Sequence, residues 1–173
     1  MKTINITKCL VFLLICGCSE KDKNLKIEHF PNGQVSQISL IKNGVENGRR
    51  IEFDSTGNIK AIENIVNGLK QGEQLNFHEV NGLLKSKLTF KNNLANGVAY
   101  WFYASGSLKA SRNYINDKEW YLGFDYWDDS FVIVKSLLRF NEQGHVFYKG
   151  NFDSTGKPKS AEGDSVRAGI KSL

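Results

Sequence analysis

The chain has 173 residues, of which 40% are hydrophobic, 12% aromatic and 24% charged, with a net charge of +5. That length accommodates one domain, and that apolar content excludes a wholly disordered chain. The positive excess is small and spread along the sequence, which excludes an electrostatic case for nucleic acid as a partner.

Residues 1–17 read as an export leader. Lys2 and Lys8 make a basic start, and Leu10 to Ile15 is an apolar run too short to span a bilayer. The segment Ile15-Cys16-Gly17-Cys18 resembles the lipobox of bacterial lipoproteins, with Cys18 as the acceptor of the lipid; Cys16 departs from the small residue usual at its place. Cleavage there would leave 21 basic residues against 18 acidic, a net +3, and a single thiol committed to lipid, so no disulfide is expected within the mature chain. Multiple acylation at that terminus would make the membrane attachment durable. Residues 18–26 read as the lipidated cysteine and a charged, flexible tether. Ser19 after the cysteine, rather than aspartate, points to the outer membrane over the inner within a bacterial cell envelope.

From Ile27 the periodicity is that of strands. Two positions after Gly33, Gly57, Gly82 and Gly106 stand Val35, Ile59, Leu84 and Leu108; eight positions after stand Ile41, Ile65, Phe90 and Tyr114. Even spacing puts these on one face. The fourth position holds Gln37, Ala61, Ser86 and Ala110, mostly small, while Lys60, Lys85, Lys87, Lys109 and Ser111 alternate with them on a face expected to be wet.

A second glycine follows each first one by fifteen residues (Gly48, Gly72, Gly97), and beyond it Ile51 and Phe53, Leu75 and Phe77, Tyr100 and Phe102 mark a returning strand. Asn43-Gly44, Asn67-Gly68, Asn92-Asn93 and Asn96-Gly97 supply residues that tolerate the left-handed backbone of a hairpin corner. Successive first glycines are 24, 25 and 24 residues apart, the signature of a repeat architecture. Extending the register, Tyr121 occupies a glycine slot and Ser130 the next, and Asp153-Ser154-Thr155-Gly156 with Phe152 copies Phe53 to Gly57. The expected body is residues 27–156, and 157–173 reads as a polar tail, frayed or at most briefly helical.

The passages FPNGQV, FDSTGNIK, FHEVNGLLK and WFYASGSLK, with NGVENG, NGLKQG and NNLANG between them, resemble the MORN-repeat variant family. The resemblance implies an all-β fold, a repeat meander of antiparallel hairpins forming an elongated twisted sheet. Some bacterial members carry an antitoxin label. The family brings no catalytic motif, and its glycines and aromatics are scaffold.

Chemistry-bearing clusters are sparse. His29, His78 and His145 have no metal-ligand or triad spacing, so neither metal nor cofactor is expected. Asp125, Asp128 and Asp129 lack the closing glutamate of a calcium loop. Nucleotide-binding glycine patterns are absent. The one anomaly is aromatic density between Tyr100 and Trp127, which holds all three tryptophans. The alternation assigns Tyr100, Phe102, Tyr114, Phe124 and Tyr126 to a buried face, and Trp101, Tyr103, Asp125 and Trp127 to the opposite one, as a candidate binding surface for protein or sugar, with a protein the expected partner. The reading is a non-catalytic lipoprotein that binds another macromolecule. The opposed readings are an envelope glycan-acting enzyme using an Asp or Glu acid–base pair, and a purely structural spacer.

Overall fold

The computed structural model describes residues 24–163; the leader, Cys18 and the end of the tail lie outside them. Those residues hold thirteen β-strands and no helix. In chain order they are β1 Leu25–His29, β2 Val35–Lys42, β3 Val45–Phe53, β4 Ile59–Val66, β5 Leu69–Phe77, β6 Leu84–Lys91, β7 Leu94–Ala95, β8 Gly97–Phe102, β9 Leu108–Ile115, β10 Lys118–Tyr126, β11 Val134–Phe140, β12 Val146–Phe152 and β13 Pro158–Gly163. All join one antiparallel sheet in sequential order, with the two-residue β7 beside β6. The expected all-β meander is the observed fold.

Two kinds of corner alternate. At one edge of the sheet Asn43-Gly44, Asn67-Gly68, Asn92-Asn93 and Asn116-Asp117 all have positive φ at both residues, the backbone of a two-residue hairpin turn. At the other edge the N–H groups of Gly33, Gly57, Gly82, Gly106 and Gly156 close turns onto Phe30, Asp54, His78, Tyr103 and Asp153. Corners are also stitched to their neighbours. The Gly68 N–H donates to Glu46, Asn93 exchanges bonds with Lys70, and the Ala95 and Asp117 segments do the same one hairpin on. A hairpin alone is marginal in water; this stitching and the shared ladder are what make the stack hold.

Three expectations are corrected. Asn96-Gly97 is not a corner: Asn96 links β7 to β8 and Gly97 opens β8, in a returning strand like those where Gly48 and Gly72 sit, and the fourth corner is Asn116-Asp117. Residues 158–163 are neither frayed nor helical, because β13 pairs with β12 and carries the sheet past the boundary expected at 156; β1 likewise begins inside the expected tether. The apolar residues of outgoing and returning strands do not share one face. Gln37, Glu52, Ala61, Asn76 and Ser86 face one another across five strands, so Ile51 and Leu75, one residue away, point oppositely with Ile38 and Ile62.

The face that carries Ala61 and Ser86 is the more covered. Ala61, Glu63, Ile65, Ser39, Ser86, Ala99, Ser136 and Leu138 are all buried, whereas Lys60, Asn64 and Val66 of the intervening positions are exposed. No second layer covers it among the described residues, so long side chains lie across neighbouring strands instead. At Gly123 an added Cβ would sit 2.6 Å from the Arg112 side chain, which shows that the glycine is the track along which that arginine lies.

Candidate functional site

The sheet orders the aromatic region differently from simple alternation. Trp101, Ala110, Asp125 and Ser136 stand in register on four consecutive strands of the more covered face. Tyr114 belongs to that face too, contrary to the expectation that placed it with Tyr100 and Phe124: its ring meets Trp101 edge-on at 6.3 Å between centroids. The reason is register. Tyr114 lies four residues beyond Ala110 on β9, while Tyr100 and Phe124 each pair with Ser111.

Asp125 is engaged from two sides. One oxygen accepts from the Arg112 guanidinium at 2.5 Å, and the other from the Ser136 hydroxyl at 2.6 Å. Arg112 also donates to the Phe124 carbonyl at 2.6 Å and lies 3.8 Å from Glu119. Glu119 in turn accepts from the Tyr114 hydroxyl at 3.1 Å, and burial, with Glu119 beside it, pushes that phenol up to about 12. The result is a connected strip in which one guanidinium serves two carboxylates.

Tyr103 and Trp127 occupy equivalent places as the first residues of two successive corners, where their N–H groups close the turns onto Ser107 and Ile133. The Tyr103 hydroxyl donates to the carbonyl of Tyr126, as His78 Nε2 meets that of Phe102 one repeat earlier. Lys109 and Lys135 lie over the two rings, 5.6 and 4.8 Å from their centroids. Trp101, Tyr103 and Trp127 are each half-buried, and the structure brings Trp101 and Asp125 into one row while seating Tyr103 and Trp127 at the corner edge.

Two features take on a functional meaning only in the structure. The first is Tyr121. In the returning strands Gly48, Gly72 and Gly97 have φ of +133°, +85° and +112°, and Tyr121, in the fourth, has φ of +64°. A tyrosine in that region is strained by contact of its Cβ with backbone, yet this one is 60% exposed and gains little burial in return. The residue before it changes as well: Asn47, Gln71 and Asn96 give way to Trp120, itself partly exposed. The sequence signal was the aromatic standing in a glycine slot. The second is the long corner after β10, where Phe131 and Val132 are 74% and 70% exposed. It borders an open depression of about 530 Å³ with Ser105, Ser107, Asp128 and Asp129. Asp128 accepts from Ser105 and Ser107, both at 2.6 Å, and these bonds hold its carboxyl below the usual range.

Among the described residues no group of three or more His, Cys, Asp or Glu side chains is arranged to hold a metal. The acids of the enzyme reading are separated by their bonding: Asp125 is tied to Arg112 on the sheet face, and Asp128 to serines at the corner.

A family model described as MORN repeat variant matches residues 95–116, which is the hairpin of β8 and β9 up to the Asn116 corner. The chain carries the MORN repeat variant there, and the match bears out the resemblance read from the repeated motifs. No curated protein matches. Among solved structures, a mutant of S. aureus TarM in complex with Fondaparinux, alpha-GlcNAc-glycerol and UDP is similar over 88% of this chain and 22% of that one, at 15% identity and a TM-score of 0.29. Likeness of that degree carries no argument, and this chain spans about a fifth of that protein's length.

Proposed function

We propose that this protein is a non-catalytic binding module, held to the bacterial envelope through lipid on Cys18 and directed to the outer membrane, whose repeat sheet engages a protein partner through its fourth hairpin. The coarse part, binding by repeats, follows from the MORN-variant unit. The observation that carries the protein-partner reading is the Trp120-Tyr121 pair, while the anchor rests on the lipobox-like segment ending at Cys18. Three hairpins put a polar residue and glycine at that point, and the fourth puts two partly exposed rings there at the expense of a strained backbone. Strain kept without burial is characteristic of a contact surface and not of a scaffold. Trp and Tyr are also the side chains that dominate protein interfaces. Trp101, two strands away, Asp125, further along the same strand, and the corner residues Tyr103 and Trp127 extend the surface.

Cross-linking and recovery of partners from the envelope, comparing wild type with Tyr121→Gly, Trp101→Ala and Trp127→Ala, tests this. Tyr121→Gly is expected to fold at least as well as wild type and to lose the partner. Equal recovery by all four proteins would remove the aromatic surface from consideration. Labelled palmitate should enter the wild type and not Cys18→Ser; its absence from both would remove the anchor.

A further inference from the structure

At the glycine-closed edge, six strand pairs carry the same irregularity; in the first, pairing passes from Gln37 to Val35 and leaves out Ser36, and in the other five a lysine is left out. Pairing passes from Ala61 to Ile59, from Ser86 to Leu84, from Ala110 to Leu108, from Ser136 to Val134 and from Ser160 to Pro158, leaving one residue out each time. The omitted residues are Lys60, Lys85, Lys109, Lys135 and Lys159, and all five are exposed. Bulges re-aim side chains, and a shared register position gives each lysine the same direction. No ion pair among the described residues involves any of the five, although Lys26, Arg50, Lys70, Lys87 and Arg112 are all paired.

These strands alternate with others in the sheet, so neighbouring lysines are two strand spacings, about 10 Å, apart, and the five span about 40 Å. We infer that this line of lysines is a binding site for a linear anionic polysaccharide laid across the strands, a ligand distinct from the protein partner proposed above.

Spacing and width decide the class. An extended acidic peptide presents a carboxylate to one side about every 7 Å, out of step with the lysines. A pyranose chain with one acidic group per disaccharide repeats at about 10 Å, the length of two strand spacings. An anionic bilayer is flat and would also meet Asp54, Asp128 and Asp153, the exposed or near-exposed acids of the corners beside the line. A polymer one chain wide avoids them. Lys109 and Lys135 are held in place by the rings beneath them, which lowers the entropy lost when they bind.

The test uses the full chain and hyaluronan oligosaccharides of graded length, which carry one carboxylate per disaccharide, titrated by calorimetry at low and moderate salt. Affinity should climb with length until the probe reaches all five lysines and then level, and salt should weaken it. Exchange of the five lysines for glutamine should lower affinity for the longest probe by roughly tenfold to a hundredfold, on modest exposed ion pairs. Exchange of Lys42, Arg49, Lys91, Lys118 and Lys149, which removes the same charge elsewhere, should lower it by less than about threefold. Equal losses in the two variants would overturn the proposal, since net charge would then be the attractor. Affinity independent of length, or polyglutamate or phosphatidylglycerol vesicles bound through the line as tightly as the oligosaccharide, would overturn it too. Each lysine is exposed, so circular dichroism should show both variants folded, and the five single exchanges provide the same test one charge at a time.

Discussion

Six residues after its opening glycine, the second hairpin carries Glu63 and the fourth carries Arg112. Both side chains lie on the more covered face, and each is satisfied by opposite charges, Glu63 from the strands on both sides and Arg112 from β10 alone. Glu63 accepts from Arg50 at 2.8 Å and lies 2.6 Å from the Lys70 ammonium, and Arg50 also pairs with Glu46. Arg112 is held by Asp125 at 2.5 Å, with Glu119 at 3.8 Å. The same backbone position thus accepts an anion between cations or a cation between anions. The sheet dictates where a side chain lies, and its cross-strand neighbours dictate what it can be. The halves differ in enclosure: the Glu63 side chain is 3% exposed and that of Arg112 13%. The first half uses its charges to close the sheet, and the second leaves its fourth hairpin strained and its aromatics open.

The largest effect that would separate the two halves comes from removing the enclosed anion. Glu63→Ala leaves two cations beside a buried space and should cost about 2–4 kcal/mol, below the full penalty for a buried pair because Arg50 and Lys70 reach solvent. Urea unfolding with an unchanged m-value would report it. Arg112→Ala should cost less, about 1–2 kcal/mol, because Asp125 keeps Ser136 as a donor. If the second change costs as much as the first, enclosure is not what distinguishes the halves.

A smaller effect of opposite sign is expected at the glycine slot. Tyr121→Gly relieves a left-handed tyrosine and should stabilise by about 1 kcal/mol, raising the urea midpoint. The mirror change, Gly97→Tyr, should destabilise by about 1–2 kcal/mol, because at a φ of +112° a side chain is strained even though Thr89, 3.6 Å from an added Cβ, leaves room for it. A Tyr121→Gly protein that is less stable than wild type would mean that the ring contributes packing at that site which outweighs the strain.

What the sequence disclosed was the period. Glycine intervals, paired asparagines and alternating apolar residues were sufficient for the hairpins, their order and one set of corners, because each of these is a local backbone demand. The faces were not legible, because assigning them needs the cross-strand register. Ile51 and Ile65 both look like core; which face each buries depends on Ala61 opposing Glu52 and not Ile51. Asn96-Gly97 reads as a corner in the sequence because an irregular strand and a hairpin turn both call for a glycine at positive φ, as at Gly97. Lys60, Lys85 and Lys109 were visible as alternating polar residues, but their common position outside the ladder was not. Tyr121 was seen to replace glycine, and only the dihedral showed that the backbone had kept glycine's shape.

The smallest effect concerns two copies of one turn at opposite ends of the sheet. Asp54 accepts from Thr56 N–H, Thr56 Oγ1 and Asn58 N–H at 2.9, 2.6 and 2.9 Å; Asp153 accepts from Thr155 N–H, Thr155 Oγ1 and Lys157 N–H at 2.8, 2.7 and 3.0 Å. The threonine hydroxyl is the leading cause that holds each carboxyl below its ordinary 3.8. A carboxyl depressed on folding contributes stability above its unfolded value, and that contribution fades as pH falls from about 3.8 through the folded one. Both acids are exposed or nearly so, so the change in Tm should stay under about 3 °C. It is better read locally, from the amide exchange of Thr56 and Asn58 against that of Thr155 and Lys157 as the pH is lowered. The two pairs should lose protection together, at a pH below 3.8. Earlier loss at Thr155 would show that position in the sheet, and not the turn's own hydrogen bonds, governs this corner, because among the described residues β13 has a partner on one side only while β4 has one on each.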